Sequence, residues 1–170
     1  MTQSVLENEM LMEAEEQKPP RALRVCFVCT GNTCRSPMAE AVVNHLAAEE
    51  GRGTVAFSAG LYAYAGDPIA QNAVTALENA GISPHPDRDY HTHVAHTLGD
   101  EEAEGYDLLV GMGKSHVMEL IMRYPRMARR ILCMPTPIAD PFGGDLAAYE
   151  ACLAEITQGV KELLLLGEET

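Results

Sequence analysis

Apolar positions along the chain fall into two alternating rhythms. Leu23-Arg24-Val25-Cys26-Phe27-Val28 is a short β-branched and aromatic run, which predicts a strand. Met38, Ala41, Val42, His45 and Leu46 then recur at helical spacing and predict an amphipathic helix. Val55-Ala56-Phe57 predicts a second strand, stopped by Ser58-Ala59-Gly60. Ile69, Ala73, Val74, Leu77 and Ala80 form the next helical stripe, ending at Gly81. Asp107-Leu108-Leu109-Val110 predicts a third strand, followed by a helix with Val117, Leu120, Ile121 and Tyr124 on one face. Arg130-Ile131-Leu132-Cys133-Met134 predicts the fourth strand. A last helix turns Leu146, Tyr149, Leu153, Ile156, Val160 and Leu163 inward. Strands alternating with helices imply right-handed crossovers and a parallel sheet with helices on both faces, a single three-layer α/β domain. No internal repeat is visible.

The first 21 residues stand apart from this alternation. They are rich in Glu and end on Lys18-Pro19-Pro20 before Arg21. They read as a mobile acidic extension (residues 1–21) ahead of a domain spanning 22–170. At 170 residues the chain has room for one proper core. Lys and Arg number 12 against 25 Asp and Glu, a formal charge of −13. That balance argues against nucleic acid or an anionic membrane as partner. The longest aliphatic run, Leu163 to Leu166, is far short of a bilayer span. The acidic start also lacks the basic flank of a signal peptide. Five cysteines, an odd number, predict free thiols in a reducing, cytoplasmic setting.

Parallel α/β sheets bind ligands beyond the carboxyl ends of their strands, so the loops after strands one and four are the places to search. After strand one the chain reads Cys29-Thr30-Gly31-Asn32-Thr33-Cys34-Arg35-Ser36-Pro37. A cysteine between a strand end and a helix start faces unpaired N–H groups and a dipole that favour its anion. Gly31 and Asn32 tolerate positive φ, so the loop can curl its amides inward as an anion nest. Arg35 follows Cys29 by six positions, and one curl of the loop returns its guanidinium to the rim, where it can grip two phosphate oxygens. Ser36 can donate to the thiolate, and Pro37 suits the first helical position. The whole stretch from Thr30 to Ser36 fits one task, holding a phosphoryl dianion over a sulfur nucleophile. Cys26-x-x-Cys29 is no thioredoxin pair, because residues three apart on a strand face opposite sides.

Cleavage of a phosphoryl bond is helped by an acid that protonates the leaving group. Asp140, in Ile138-Ala139-Asp140-Pro141-Phe142-Gly143-Gly144, follows strand four and rises from the same sheet edge. It is the candidate acid for cleavage and base for the water that follows.

These two segments closely resemble the low-molecular-weight protein tyrosine phosphatase family, with Ser58-Ala59-Gly60 and Lys114-Ser115-His116 as weaker matches. The likeness runs from Leu23 to the C-terminus. It implies a four-stranded parallel sheet of flavodoxin-like type, no metal or other cofactor, and a phosphocysteine intermediate. By resemblance Cys29 is the nucleophile, Arg35 the phosphate clamp and Asp140 the acid/base, with Asn32 and Ser36 organising the loop. Phosphorylated proteins are the implied substrates. Within the family the chain looks most like the bacterial protein arginine phosphatases. Tyrosine-directed members carry a bulky aliphatic residue where Thr33 stands, and often tyrosines after the Asp-Pro pair, here Phe142-Gly143-Gly144. A hydroxyl and a smaller volume at Thr33 suit a polar planar guanidinium better than a phenyl ring. Protein-tyrosine phosphatase is the alternative. The sequence departs from the family pattern in a short link from Met134 to Asp140, in His96 where relatives tend to have Arg, and in the 1–21 extension.

Other signals carry less. His91, His93 and His96 lack Cys or carboxylate partners at metal-ligand spacing, and the role of the His85 to His96 region stays open. Gly113-Lys114-Ser115 imitates the end of a nucleotide loop, but the position of its first glycine is Leu108. Cys34 shares a loop with Cys29, which predicts a reversible Cys29–Cys34 disulfide under oxidation or, equally, a packing role. An arsenate reductase of this fold needs relay cysteines in mid-sequence, and none stands between Cys34 and Cys133. A phosphocarrier would lack the clamp and the acid.

Overall fold

The computed structural model describes residues 22–166. The acidic 1–21 segment, and with it the expected domain boundary, lies outside the described residues. Strands β1 (Arg24–Cys29), β2 (Val55–Gly60), β3 (Leu108–Gly111) and β4 (Ile131–Cys133) form one sheet in the order β2-β1-β3-β4, all parallel. Helices α1 (Arg35–Glu49), α2 (Gln71–Asn79), α3 (Asp100–Glu104), α4 (Lys114–Arg123) and α5 (Leu146–Leu164) complete the alternation. The three-layer α/β architecture expected from the pattern is the one observed. No helix among the described residues is long and apolar enough to cross a membrane.

Strand β1 is buried on both faces, and its alternation sorts the core. Val25, Phe27 and Cys29 share one apolar cluster with residues of α1, α2 and α5. Cys26 and Val28 join the other, with Ala103 of α3 and Leu120 of α4. Cys26 and Cys29 therefore lie on opposite faces, as a two-residue period requires. The order of strand addition reverses about β1, which has β2 on one side and β3 on the other. The carboxyl end of β1 is thus the switch point at which such sheets form a crevice.

Several elements differ from the pattern-based expectation. Strand β2 runs on to Gly60 rather than stopping at Phe57, since Ser58 and Ala59 are small enough to be buried beside β1. Gly60 is required there, because a Cβ would sit 2.6 Å from the Thr30 carbonyl oxygen. Helix α1 has no simple stripe and buries Ser36, Glu40 and Asn44 along with its apolar residues. The segment after α2 covers its outer side, where Arg88 reaches Glu40 at 2.9 Å. Asn44 ties the same helix to β2 by accepting from the Ala56 N–H at 2.8 Å and donating to its carbonyl at 3.1 Å. Ile69 precedes α2 instead of belonging to it, and Ile121 points outward from α4. Helix α3, five residues long and acidic throughout its first turn, has too short a stripe to be read.

Candidate active site

The backbone ladder does not stop where the strands do. Leu61 N–H donates to the Cys29 carbonyl at 2.9 Å and Tyr62 N–H to that of Thr30 at 3.0 Å, so the loop after β2 walls the loop after β1. On the other side Met112 N–H donates to Val28 at 3.0 Å, and Ile138 N–H to Met112 at 3.3 Å. The Asp140 segment is thereby tied to the Cys29 loop through β3. A cleft of about 380 Å³ opens over this edge, lined by the loop from Cys29 to Arg35, by Tyr62, Tyr64 and Asp67, and by Asp140 and Phe142.

Cys29 ends β1 with its side chain 2% exposed. Its sulfur accepts the Asn32 N–H at 3.3 Å and lies 2.9 Å from Ser36 Oγ. Asn32 holds the tight turn at φ 58°, the left-handed region that Asn tolerates well. Its side-chain orientation follows from its partners. The His96 backbone N–H can only donate, and it meets Asn32 Oδ1 at 3.1 Å. Asn32 Nδ2 then donates to Ser36 Oγ at 2.9 Å. With that lone pair taken, the Ser36 hydroxyl is free to donate to the sulfur. His93 Nε2–H adds a bond to the Asn32 carbonyl at 2.8 Å, and burial pushes the His93 imidazole below its ordinary value, towards the neutral form. Histidines that carry no metal-ligand signal in the sequence thus brace the loop.

Helix α1 starts at Arg35, with Cys34 as its N-cap residue and Met38 N–H making its first bond to the Cys34 carbonyl at 3.1 Å. Pro37 therefore sits at the third helical position rather than the first. It is tolerated there because the first four N–H groups of a helix have no intrahelical partner. Arg35 bends back over the edge as its spacing predicts. It donates Nη1–H to the Ile138 carbonyl at 3.2 Å and brings Nη2 to 3.6 Å from Asp140 Oδ2. The arginine side chain is 11% exposed and the aspartate 53%, so the guanidinium is largely enclosed while the carboxylate faces the cleft mouth. Asp140 Oδ1 also accepts the Phe142 N–H at 3.1 Å, shaping the turn after it. Despite the short link from Met134, Asp140 reaches the cleft.

Thr30 is exposed at the cleft, and its hydroxyl pairs with His116 Nε2 at 3.0 Å. Burial, reinforced by Arg35, holds that imidazole below its ordinary value. Thr33 is half-buried and lines the cleft. Cys34 is 4% exposed, and its sulfur lies 3.3 Å from the Tyr149 hydroxyl and 3.6 Å from that of Thr33. Burial raises the Cys34 thiol, keeping it protonated. All five cysteines are free. Every residue singled out from Cys29 to Ser36, together with Asp140 and Phe142, lies at this one edge.

The sequence reading missed the third wall. Tyr62, Tyr64 and Asp67 follow β2 and line the cleft. The signal was available: two tyrosines in a segment of Ala and Gly, leaving the same edge of the sheet. Lys114-Ser115-His116 stood out only as a weak family match, and neither it nor Tyr149 carried a sign of its contact with the loop, since each reaches it by packing from a distant helix.

A family model described as low molecular weight phosphotyrosine protein phosphatase matches residues 24–169. The chain belongs to that family. It is accordingly a phosphatase, and relatives of two kinds resemble it. The protein-arginine-phosphatase of Bacillus subtilis (strain 168) is 31% identical over 146 residues, covering 82% of this chain and 93% of the relative. The low molecular weight protein-tyrosine-phosphatase PtpB of Staphylococcus epidermidis is 29% identical, covering 79% and 91%. Among solved structures, a low molecular weight protein tyrosine phosphatase from T. tengcongensis superposes with a TM-score of 0.77 at 34% identity, covering 85% of this chain and 99% of that one. A mutant YwlE arginine phosphatase with a phosphorylated active-site serine gives 0.75 at 30%, covering 83% and 93%. The phosphatase thus shares its fold with members of both kinds.

Proposed function

We propose that this phosphatase removes phosphoryl groups from arginine side chains of proteins through a phosphocysteine at Cys29. The thiolate attacks phosphorus while loop amides and the Arg35 fork hold the equatorial oxygens. The P–N bond breaks as Asp140 passes a proton to the leaving guanidine nitrogen. Asp140 then takes a proton from the water that attacks phosphorus and releases the Cys29 thiolate. Asn32 and Ser36 keep the sulfur oriented. The observation that carries the chemistry is the convergence at one edge: a sulfur accepting from Asn32 and facing Ser36, with Arg35 and Asp140 meeting 3.6 Å apart at the rim.

The arginine reading rests on the cleft's polarity. Asp67 and Asp140 both line it, and two carboxylates beside the Thr33 hydroxyl offer acceptors to the N–H groups of a guanidinium. Protein-arginine-phosphatases from Bacillus subtilis and Geobacillus stearothermophilus, 31% and 30% identical, support it. Tyr62, Tyr64 and Phe142 give the cleft aromatic walls, against which the phenyl ring of the alternative phosphotyrosine substrate would stack well. A guanidinium stacks on the same walls, so they do not discriminate. Comparing kcat/KM on phosphoarginine and phosphotyrosine peptides decides. A preference for phosphoarginine that Thr33→Ile reverses supports the proposal; equal ratios in both proteins overturn the specificity while leaving the chemistry in place. We further propose that Cys34 captures oxidised Cys29 as a disulfide. Peroxide first oxidises Cys29 to a sulfenic acid, and the Cys34 thiol then displaces water. A cytoplasmic location accords with five free thiols.

A further inference from the structure

Large apolar side chains left in water are informative when they gather beside a site. On α4, His116 and Leu120 are buried against the sheet. Met118 and Met122, one turn apart, stand 66% and 79% exposed on the other side. Together with Tyr62, Ser115, Glu119 and Arg123 they line a groove of about 610 Å³. Tyr62 lines this groove and the catalytic cleft alike. Tyr62 is therefore the residue at which the two spaces adjoin.

That ring is held in place. Its backbone N–H bonds to Thr30 within the Cys29 loop, and the Arg123 guanidinium lies 5.1 Å from its centroid. Arg123 is fixed in turn by Glu119, one helical turn away, and by the Leu61 carbonyl at 3.5 Å. The charged groups at the groove thus pair with each other, which leaves the two methionines as its unpartnered surface. Thioether side chains are flexible and polarisable, and they suit apolar partners of varied shape.

We propose that this groove is a docking shelf for the substrate polypeptide, taking an apolar side chain that flanks the phosphorylated residue. The assignment rests on the reading that the substrate is a protein side chain, and it holds for phosphoarginine and phosphotyrosine alike. Continuity selects the occupant. A polypeptide whose phosphorylated side chain enters the cleft must leave across its rim, and Tyr62 is the rim on the α4 side. An extended segment advances ~3.3 Å per residue, so residues close to the phosphorylated one in sequence are those carried past Tyr62 onto Met118 and Met122.

Phosphopeptides differing only in Leu or Ser at each flanking position, turned over by wild type and by the Met118→Ser/Met122→Ser double variant, provide the test. Wild type is expected to favour Leu at one flank by about tenfold in kcat/KM, through partial burial of one aliphatic side chain. The double variant is expected to lose that preference while hydrolysing a small aryl phosphate at the wild-type rate, which also reports that it folds. A preference that survives in the variant, or none in the wild type, overturns the shelf. Self-association of the wild type that the double variant abolishes, without a flank preference, assigns the groove to a second copy of the chain and overturns it too. No turnover of any phosphopeptide by an enzyme active on aryl phosphate overturns the protein-substrate reading itself, and the shelf with it.

Discussion

Asn32 is the residue on which the loop turns, and replacing it separates backbone strain from hydrogen bonding. Its side chain donates to Ser36 Oγ and accepts from the His96 N–H, while its φ of 58° places it in the left-handed region. Asn32→Ala removes both side-chain bonds, each worth about 1 kcal/mol net in a buried setting. It also asks an alanine to hold a left-handed conformation, at roughly 1 kcal/mol. The expected loss is about 3 kcal/mol, a large fraction of a typical domain's 5–15. Asn32→Gly loses the same two bonds without the backbone cost, so it should sit about 1 kcal/mol above the alanine variant. Asn32→Asp keeps an acceptor for His96 but loses the donor to Ser36 and puts a negative charge beside the sulfur. At this fully buried position the new charge has no cation beside it among the described residues, so the variant should be the least stable and the least active of the three. Urea midpoints give the stabilities, and kcat/KM on an aryl phosphate gives the activity. Equal stabilities for the alanine and glycine variants would show that the left-handed turn costs nothing. All three within about 0.5 kcal/mol of wild type, the range of an ordinary surface change, would refute the whole account of the loop.

Three further outcomes are expected. Asp140→Ala should slow phenolic and guanidino substrates by roughly 10²–10⁴-fold; a loss below about tenfold would give the acid's role to another group. His96 is raised above its ordinary value, chiefly by its hydrogen bond to Glu102 at 2.8 Å. The pair's stabilisation is therefore complete below the unfolded histidine value near ~6.5 and fades as pH rises through the raised one. Urea midpoints measured across that window should fall with pH in wild type and stay flatter in Glu102→Gln; identical slopes would refute the linkage. Mild peroxide should yield a Cys29–Cys34 disulfide by mass spectrometry, and sulfinic acid at Cys29 without a bridge would end that proposal.

What the sequence disclosed and what it withheld divide by range. The placement of Cys29, Arg35 and Ser36 at one edge was legible because it follows from a single loop curling between a strand and a helix, a matter of local spacing. Asp140 was legible because a parallel sheet puts every strand's carboxyl end on one edge. Side chains that reach the loop from elsewhere left no such trace. His96 and His93 hold Asn32 from more than sixty positions away, and Tyr149 meets Cys34 from 115. A histidine read by spacing alone shows only whether it has metal-binding neighbours, not which distant oxygen its N–H groups will reach. Helix α1 shows the same limit in burial: Glu40 lies hidden because Arg88, 48 positions later, pairs with it. The amphipathic stripe describes what a helix would do against a single sheet, and a second layer of chain over its outer face erases it. The sheet and the nucleophile loop thus follow from periodicity and local turn chemistry. The bracing that keeps the sulfur aimed follows from tertiary contacts, which is why the discriminating experiments fall on Asn32 and Glu102 rather than on the motif cysteine.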